Sequence, residues 1–187
     1  TQNISETQEN RCSKAMRPSQ ALSLLVVVLL LVSSSASILE DTCKRFDGAD
    51  IYDICIKFFK ANKDSATTDK RGLAVIATKI ASATAVDTRK RIAILKAEEK
   101  DQMIQQVLAY CDNMYSRAMG LFDKAARGIL SGRLGDAVTS LSSALDIPKY
   151  CDDEFLEAGV KSPFDAENSE FEMQCAITLG VTKMLTF

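Results

Sequence analysis

The sequence predicts an all-α protein, an antiparallel up-and-down four-helix bundle that follows a small N-terminal helical hairpin. The main observation is an apolar seam, in which one residue recurs at alternating steps of four and three, as in helices packed lengthwise. The seam comprises Ile104, Leu108, Cys111, Tyr115, Ala118, Phe122, Ala125 and Ile129. A helix with one apolar face must be covered by partners, so this seam predicts further helices around it. No segment carries a clear strand pattern.

One covering helix is predicted before the seam. Its apolar stripe begins at Leu73 and resumes at Ile92 after a charged run, and Thr67 or Thr68 is a candidate N-cap. Propensity alone would allow a single helix over residues 68–130. We expect a turn at residues 98–101 instead, because a helix of that length would extend about 90 Å and could not pack on itself.

Two more covering helices are predicted after the seam. A turn with two glycines, residues 131–135, ends the seam helix. The next helix repeats the four-three-four step and is expected to end at Pro148, with a short helical turn closed by Gly159. The last segment opens at Ser162-Pro163 and is apolar on more than one face, as expected of a well-covered helix.

The first 65 residues divide into three parts. A basic start at Met16-Arg17, an apolar run of about a dozen residues and small residues up to position 37 are typical of a secretory signal peptide. We therefore interpret residues 16–37 as the signal peptide and residues 1–15 as upstream sequence; a genuine N-terminal extension is the alternative. Residues 38–65 hold two short apolar pieces around an Asp-Gly turn, which predict the hairpin. Residues 66–187 form the bundle, so the predicted mature domain is 38–187.

The composition excludes several classes of function. The chain has 23 basic and 25 acidic residues and no histidine, so the usual Ser-His-Asp and Cys-His catalysts and His-based metal sites are absent. Charges of both signs are mixed along the chain, and nothing favours a nucleic acid or a membrane as partner. The acidic groups at residues 98–101 and 152–154 are interpreted as a solvated loop and as acids that open a helical turn, in preference to metal or acid–base sites. No cofactor and no metal are expected, and we expect a monomer.

The cysteines predict covalent links in a secreted chain. Cys12 precedes the predicted signal peptide, and the mature chain keeps Cys43, Cys55, Cys111, Cys151 and Cys175. An odd number leaves at least one thiol without an intramolecular partner, and four cysteines allow three pairings. Spacing alone does not choose among them.

These cysteines and their helical setting resemble the plant invertase and pectin methylesterase inhibitor family. Two further elements carry the resemblance, Leu141-Ser142-Ser143-Ala144-Leu145 and, after it, Cys151-Asp152-Asp153-Glu154-Phe155. They are similar to the family's Ser-Ala-Ala-Leu signature followed by Cys-x-x-x-Phe. The resemblance covers residues 38–187 and implies a secreted, non-enzymatic four-helix bundle with an N-terminal hairpin.

The resemblance also implies a disulfide pattern, first with second and third with fourth. Here that means Cys43–Cys55, which would link the hairpin, and Cys111–Cys151. A fifth, unpaired cysteine in the last helix is common in the family, and Cys175 takes that place.

The resemblance further points to a candidate enzyme-contact turn. Invertase inhibitors of the family carry Pro-Lys-Phe where the chain enters the helix before the fourth cysteine, and this tripeptide reaches into the enzyme's active site. The matching positions here are Gly132, Arg133 and Leu134, so a cation beside an apolar residue is present without the proline or the aromatic ring.

Two functions follow as hypotheses. The first is a secreted inhibitor that binds a plant cell-wall enzyme, invertase or pectin methylesterase, in a one-to-one complex in the apoplast. The second is a secreted bundle of the same fold without inhibitory activity, such as a pollen allergen or a carrier of an apolar ligand. An enzyme is the least favoured reading.

Overall fold

The computed structural model describes residues 38–186, apart from the side chain of Ala49, and is helical throughout its regular elements. The segment 1–15 and the predicted signal peptide 16–37 lie outside the described residues. The elements are α1 (38–43), α2 (Ala49–Lys60), α3 (Lys70–Glu98), α4 (Gln102–Leu130), α5 (Leu134–Leu145), α6 (Ile147–Glu157) and α7 (Asp165–Lys183), with a 3₁₀ turn at Lys63–Ala66. Within 38–186, no helix combines the length and apolarity needed to cross a membrane.

Four columns of helix form the bundle and confirm the predicted fold class. Helices α3 and α4 pack side by side, α4 packs on α5, α5 on α7, and α7 returns to α3. The loops between successive columns are short, so neighbouring columns run antiparallel. The turn expected at residues 98–101 is where α3 ends and α4 begins.

The seam of α4 faces the core as predicted. Seven of its eight residues are buried, and Ile104 at its start is half-buried. Tyr115 and Phe122 are central, and both rings contact Phe171 of α7, with centroid distances of 4.9 and 5.9 Å. Aromatic groups of this size dominate the energetics of a core.

The N-terminal hairpin is formed and is covalently linked. Cys43 at the end of α1 and Cys55 in α2 form a disulfide, which confirms that the hairpin is disulfide-linked. The hairpin leans on the bundle as expected: Phe59 is fully buried, and Phe46 lies against Gly180 of α7. A side chain at Gly180 would collide with that ring, because its Cβ would lie 2.5 Å from the nearest ring carbon.

Two boundaries differ from the sequence prediction. The N-cap of α3 is Asp69, whose carboxylate accepts a hydrogen bond from the Gly72 N–H, and not Thr67 or Thr68. An aspartate is an equally good cap and its charge favours the helix N-terminus, so it replaces the threonines.

The third column is also broken earlier than predicted. Helix α5 ends at Leu145, and Pro148 lies in the first turn of α6 instead of ending a helix. Proline cannot supply the N–H that would bond the Ala144 carbonyl four residues before it. The Asp146 N–H and the Cys175 thiol contact that carbonyl instead, the thiol at 3.8 Å.

Candidate functional site

The candidate enzyme-contact turn connects α4 to α5 and consists of Ser131, Gly132 and Arg133. We call it the α4–α5 turn. Gly132 has a φ of 76°, in the left-handed region that favours glycine. Its N–H donates to the Ile129 carbonyl, and the Ser131 N–H donates to the Arg127 carbonyl. The turn is therefore a short, hydrogen-bonded C-cap and not a long flexible loop.

The α4–α5 turn is seated closely on its own helix. Gly128 of α4 faces the Arg133 carbonyl and Ala137 of α5, and a Cβ at Gly128 would lie 3.0 and 3.2 Å from the oxygen and the Ala137 Cβ. From the neighbouring column, Arg71 donates from Nη1 to the Ile129 carbonyl at 2.6 Å. These two contacts fix the direction in which the turn presents its side chains.

The Arg133 side chain is directed to solvent. Its Nε lies 3.4 Å from Oδ2 of Asp136, and the two side chains are 64% and 61% exposed. An exposed ion pair of this kind contributes little stability, so Arg133 can exchange Asp136 for another carboxylate at small cost. Arg71 and Arg127 are also exposed around the same end of the bundle.

The apolar residue next to this cation is not the predicted one. Leu134 begins α5 and is half-buried, so it offers only part of its side chain. Leu130, the last residue of α4, is 65% exposed and lies three positions before Arg133. The sequence comparison pointed to Leu134 because it took the register from Cys151, whereas exposure depends on the orientation of the last helical turn of α4.

A second exposed surface lies at the other end of α4. We call it the α4–α6 face: Met103, Tyr110, Tyr150, Glu154 and Glu157. The pKa of Tyr110 is raised, first by burial of its ring and then by the nearby Glu154 carboxylate. At 1.5 Å per residue, Met103 lies about 40 Å along α4 from Leu130. The two surfaces can therefore be tested separately.

The remaining cysteines are buried at the centre of the bundle. Cys111, Cys151 and Cys175 are all present as free thiols. Cys151 and Cys111 are in hydrogen-bonding contact, which together with burial raises the pKa of the Cys151 thiol. Burial also raises the pKa of Cys175. The geometry brings Cys111 and Cys151 together, and their bridge stays a prediction, as does the unpaired state of Cys175.

The acidic clusters have structural partners. Asp101 caps α4 by accepting hydrogen bonds from the Met103 and Ile104 N–H groups, and Glu99 accepts from the Lys100 and Asp101 N–H groups. Asp152 accepts from Asn168, which in turn accepts from the Tyr115 hydroxyl. Across residues 38–186, no group of three or more acidic or cysteine side chains is arranged to hold a metal ion.

Comparison with known proteins decides the family. The model of the family described as plant invertase/pectin methylesterase inhibitor matches residues 37–181. The chain belongs to this family. The resemblance drawn from the cysteines and the Leu141–Leu145 signature is thereby confirmed.

The curated relatives are named as inhibitors of two kinds. "Putative invertase inhibitor" of the plane tree Platanus acerifolia is 30% identical over 86% of this chain and 92% of its own length. "Pectinesterase inhibitor 12" of Arabidopsis thaliana is also 30% identical, over 88% of this chain and 98% of its own length. Membership of a family described by inhibition confirms that this chain is not an enzyme.

Solved structures share the fold. The crystal structure of a pectin methylesterase inhibitor from Arabidopsis thaliana matches with a TM-score of 0.58 and 21% identity, over 80% of this chain and 97% of the other. A mutant form of such an inhibitor from Arabidopsis matches with a TM-score of 0.61 and 23% identity, over 71% and 89%. At these identities the likeness establishes the bundle architecture alone.

The close contact at Gly128 gives a prediction about how the turn is held. Gly128→Ala should lower the free energy of unfolding by about 1 kcal/mol, because crowding against the Arg133 carbonyl outweighs the better helix propensity of alanine. The matched control is Gly120→Ala in the same helix, where the added Cβ has no heavy atom within 4 Å. Gly120→Ala should raise the free energy of unfolding by about 0.5–1 kcal/mol. Equal gains in urea unfolding would contradict the tight seating of the turn.

Proposed function

We propose that this protein is a secreted inhibitor that binds a plant cell-wall enzyme, invertase or pectin methylesterase, as a monomer in a one-to-one complex. The family and the names of the relatives support inhibition as the general activity. The observation that carries the proposal is the exposed cation of Arg133 on a rigid turn. In this proposal the α4–α5 turn enters the cleft of the enzyme.

The charges favour this turn over the other exposed surface. Both candidate enzymes work with paired acidic groups in a sugar-binding groove, where a cation is the natural complement. Arg133 is exposed, and Arg71 and Arg127 lie at the same end of the bundle. The α4–α6 face instead carries Glu154 and Glu157, whose carboxylates would repel an acidic cleft.

The turn also meets a geometric requirement of an inhibitor. A contact residue on a mobile loop loses conformational entropy when it binds, whereas a residue on an ordered turn has lost most of it already. The close packing at Gly128 and the Arg71 bond to the Ile129 carbonyl hold the backbone of the α4–α5 turn before any partner arrives. Leu130 supplies an apolar contact beside the cation.

Arg133→Ala tests the proposal. We expect the purified protein to inhibit acid invertase or pectin methylesterase with one-to-one stoichiometry, and Arg133→Ala to raise the inhibition constant about tenfold, the effect of about 1.4 kcal/mol. Arg117→Ala is the matched control, since Arg117 is an exposed arginine in the middle of α4, away from the turn. It should leave inhibition unchanged.

Two outcomes would count against this account. Inhibition that Arg133→Ala leaves intact would remove the turn from the mechanism while keeping the inhibitory function. Absence of inhibition of both enzymes at micromolar protein would favour the non-inhibitory bundle. Circular dichroism of each variant establishes that the fold is retained.

A further inference from the structure

A groove separates the hairpin from the last helix of the bundle. Helix α2 presents residues spaced i, i+3, i+4 and i+7 to it, and α7 presents residues with the same spacing from the opposite side. The side chain of Ile80 from α3 lies between them. The groove encloses about 460 Å³, within the range of small-molecule sites in proteins. Its lining residues on the two helices are Ile54, Lys57, Phe58 and Ala61 of α2, and Glu170, Met173, Gln174 and Ile177 of α7.

The groove wall contains a buried polar group that lacks a partner. Gln174 is 9% exposed, and its Nε2 donates to Oε1 of Glu170 at 3.1 Å. Because a carboxylate only accepts hydrogen bonds, this contact fixes which end of the Gln174 amide is the nitrogen. The other end, Oε1, is buried and accepts no hydrogen bond from any described residue. A buried acceptor without a partner is unfavourable and calls for an explanation.

We propose that this groove binds a small, neutral, amphipathic molecule whose alcohol or phenol hydroxyl donates to Gln174 Oε1. The apolar body of the ligand lies against Ile54, Ile80 and Met173. The terminal torsion of glutamine is soft, so the oxygen can turn toward a donor in the groove at little cost. The site is independent of the α4–α5 turn and of any inhibitory activity.

The charges at the groove select a neutral ligand. Lys57 and Glu170 both line it and both are exposed, so the cation that would attract an anionic head group is matched by an anion. A hydroxyl needs neither charge. It also supplies the one thing that the wall lacks, which is a hydrogen-bond donor for an acceptor.

A docked protein helix fits the same groove less well. The backbone N–H groups in the middle of a helix are already bonded within that helix, and its apolar side chains carry no donor. Such a partner would bury Gln174 further and still leave Oε1 unpaired. A small molecule with a free hydroxyl removes the unfavourable group, so it is the occupant to which we commit.

Two matched ligands test the donor. Titration of the purified protein with 1-octanol, followed by NMR chemical shifts, should move the resonances of Ile54, Ile80 and Met173 and saturate. Octyl methyl ether has nearly the same apolar body and no donor, so it should bind about tenfold more weakly. Octanoate should also bind more weakly than octanol, because Glu170 repels its charge.

Two variants test the site. Gln174→Leu keeps the size and removes the acceptor, so it should abolish the preference for octanol over the ether. Ala61→Phe fills the groove from an exposed position and should prevent binding of both, whereas Lys60→Ala on the outer side of α2 should change nothing.

Three results would overturn the proposal. They are no saturable binding of octanol, equal binding of alcohol and ether by the unmodified protein, and shifts confined to another surface such as the α4–α6 face. A dimer that forms through this groove, seen as loss of octanol binding at high protein concentration, would assign it to a second copy of the chain.

Discussion

Phe122→Ala is expected to lower the free energy of unfolding by about 3–5 kcal/mol. Phe122 is 1% exposed, lies on the seam of α4, and its ring meets Phe171 of α7 edge to face at a centroid distance of 5.9 Å. Removing the ring loses its burial and leaves a cavity between α4 and α7 that the long helices cannot close. Urea unfolding followed by circular dichroism measures the change.

The control for this prediction is on the opposite face of the same helix. Lys124 is exposed, and Lys124→Ala should change the free energy of unfolding by about 0.5 kcal/mol or less. If both variants lost the same stability, the seam would not be the core of the bundle.

The second large effect is expected from the bridge between Cys111 and Cys151. The two thiols are buried and in contact across α4 and α6, and an oxidising compartment would link them. The bridge would close a loop of 40 residues, counted from position 111 to 151. In the chain-entropy model this contributes about 4 kcal/mol, against about 3 kcal/mol for the shorter hairpin loop.

Peptide mapping of the secreted protein without reduction checks the pairing. We expect the two linked pairs Cys43–Cys55 and Cys111–Cys151, with Cys175 reactive to alkylation only after unfolding. Cys151→Ser should remove most of the stability that the bridge provides, whereas Cys175→Ser should cost much less. A bridge that contains Cys175, or one between Cys43 and Cys151, would contradict the assignment.

The core helix was predictable because its periodicity is long and unbroken. The seam from Leu108 to Ile129 has no proline and keeps one face apolar, so burial had only one solution. The turn at residues 98–101 followed from length, since a single helix could not cover itself. The hairpin followed from two apolar pieces around an Asp-Gly turn, and its link from the family pattern.

The details that the sequence could not predict depend on contacts between distant residues. Arg71 holds the Ile129 carbonyl 58 positions away, and no local pattern marks it. The break at Asp146 depends on Pro148 and also on Cys175 of another helix, which reaches the Ala144 carbonyl. Asp69 was read as a first-turn acid, because one residue in either direction separates a cap from the helix that follows it.

The candidate site was predicted in position and only partly in composition. Arg133 lies in an exposed turn, as the comparison with the Pro-Lys-Phe element implied. Leu134 is half-buried, and Leu130 takes the exposed apolar place beside the cation. Which leucine faces solvent is set by the packing of α4 against α5 at Gly128, a contact that sequence spacing does not encode.

Hydrogen–deuterium exchange of the protein, alone and with whichever of the two enzymes it inhibits, tests the central claim most directly. The account predicts that the complex slows exchange of the amides at residues 127–136, and leaves the amides of the α4–α6 face about 40 Å away unchanged. Protection confined to the α4–α6 face, with residues 127–136 exchanging as in the free protein, would contradict it.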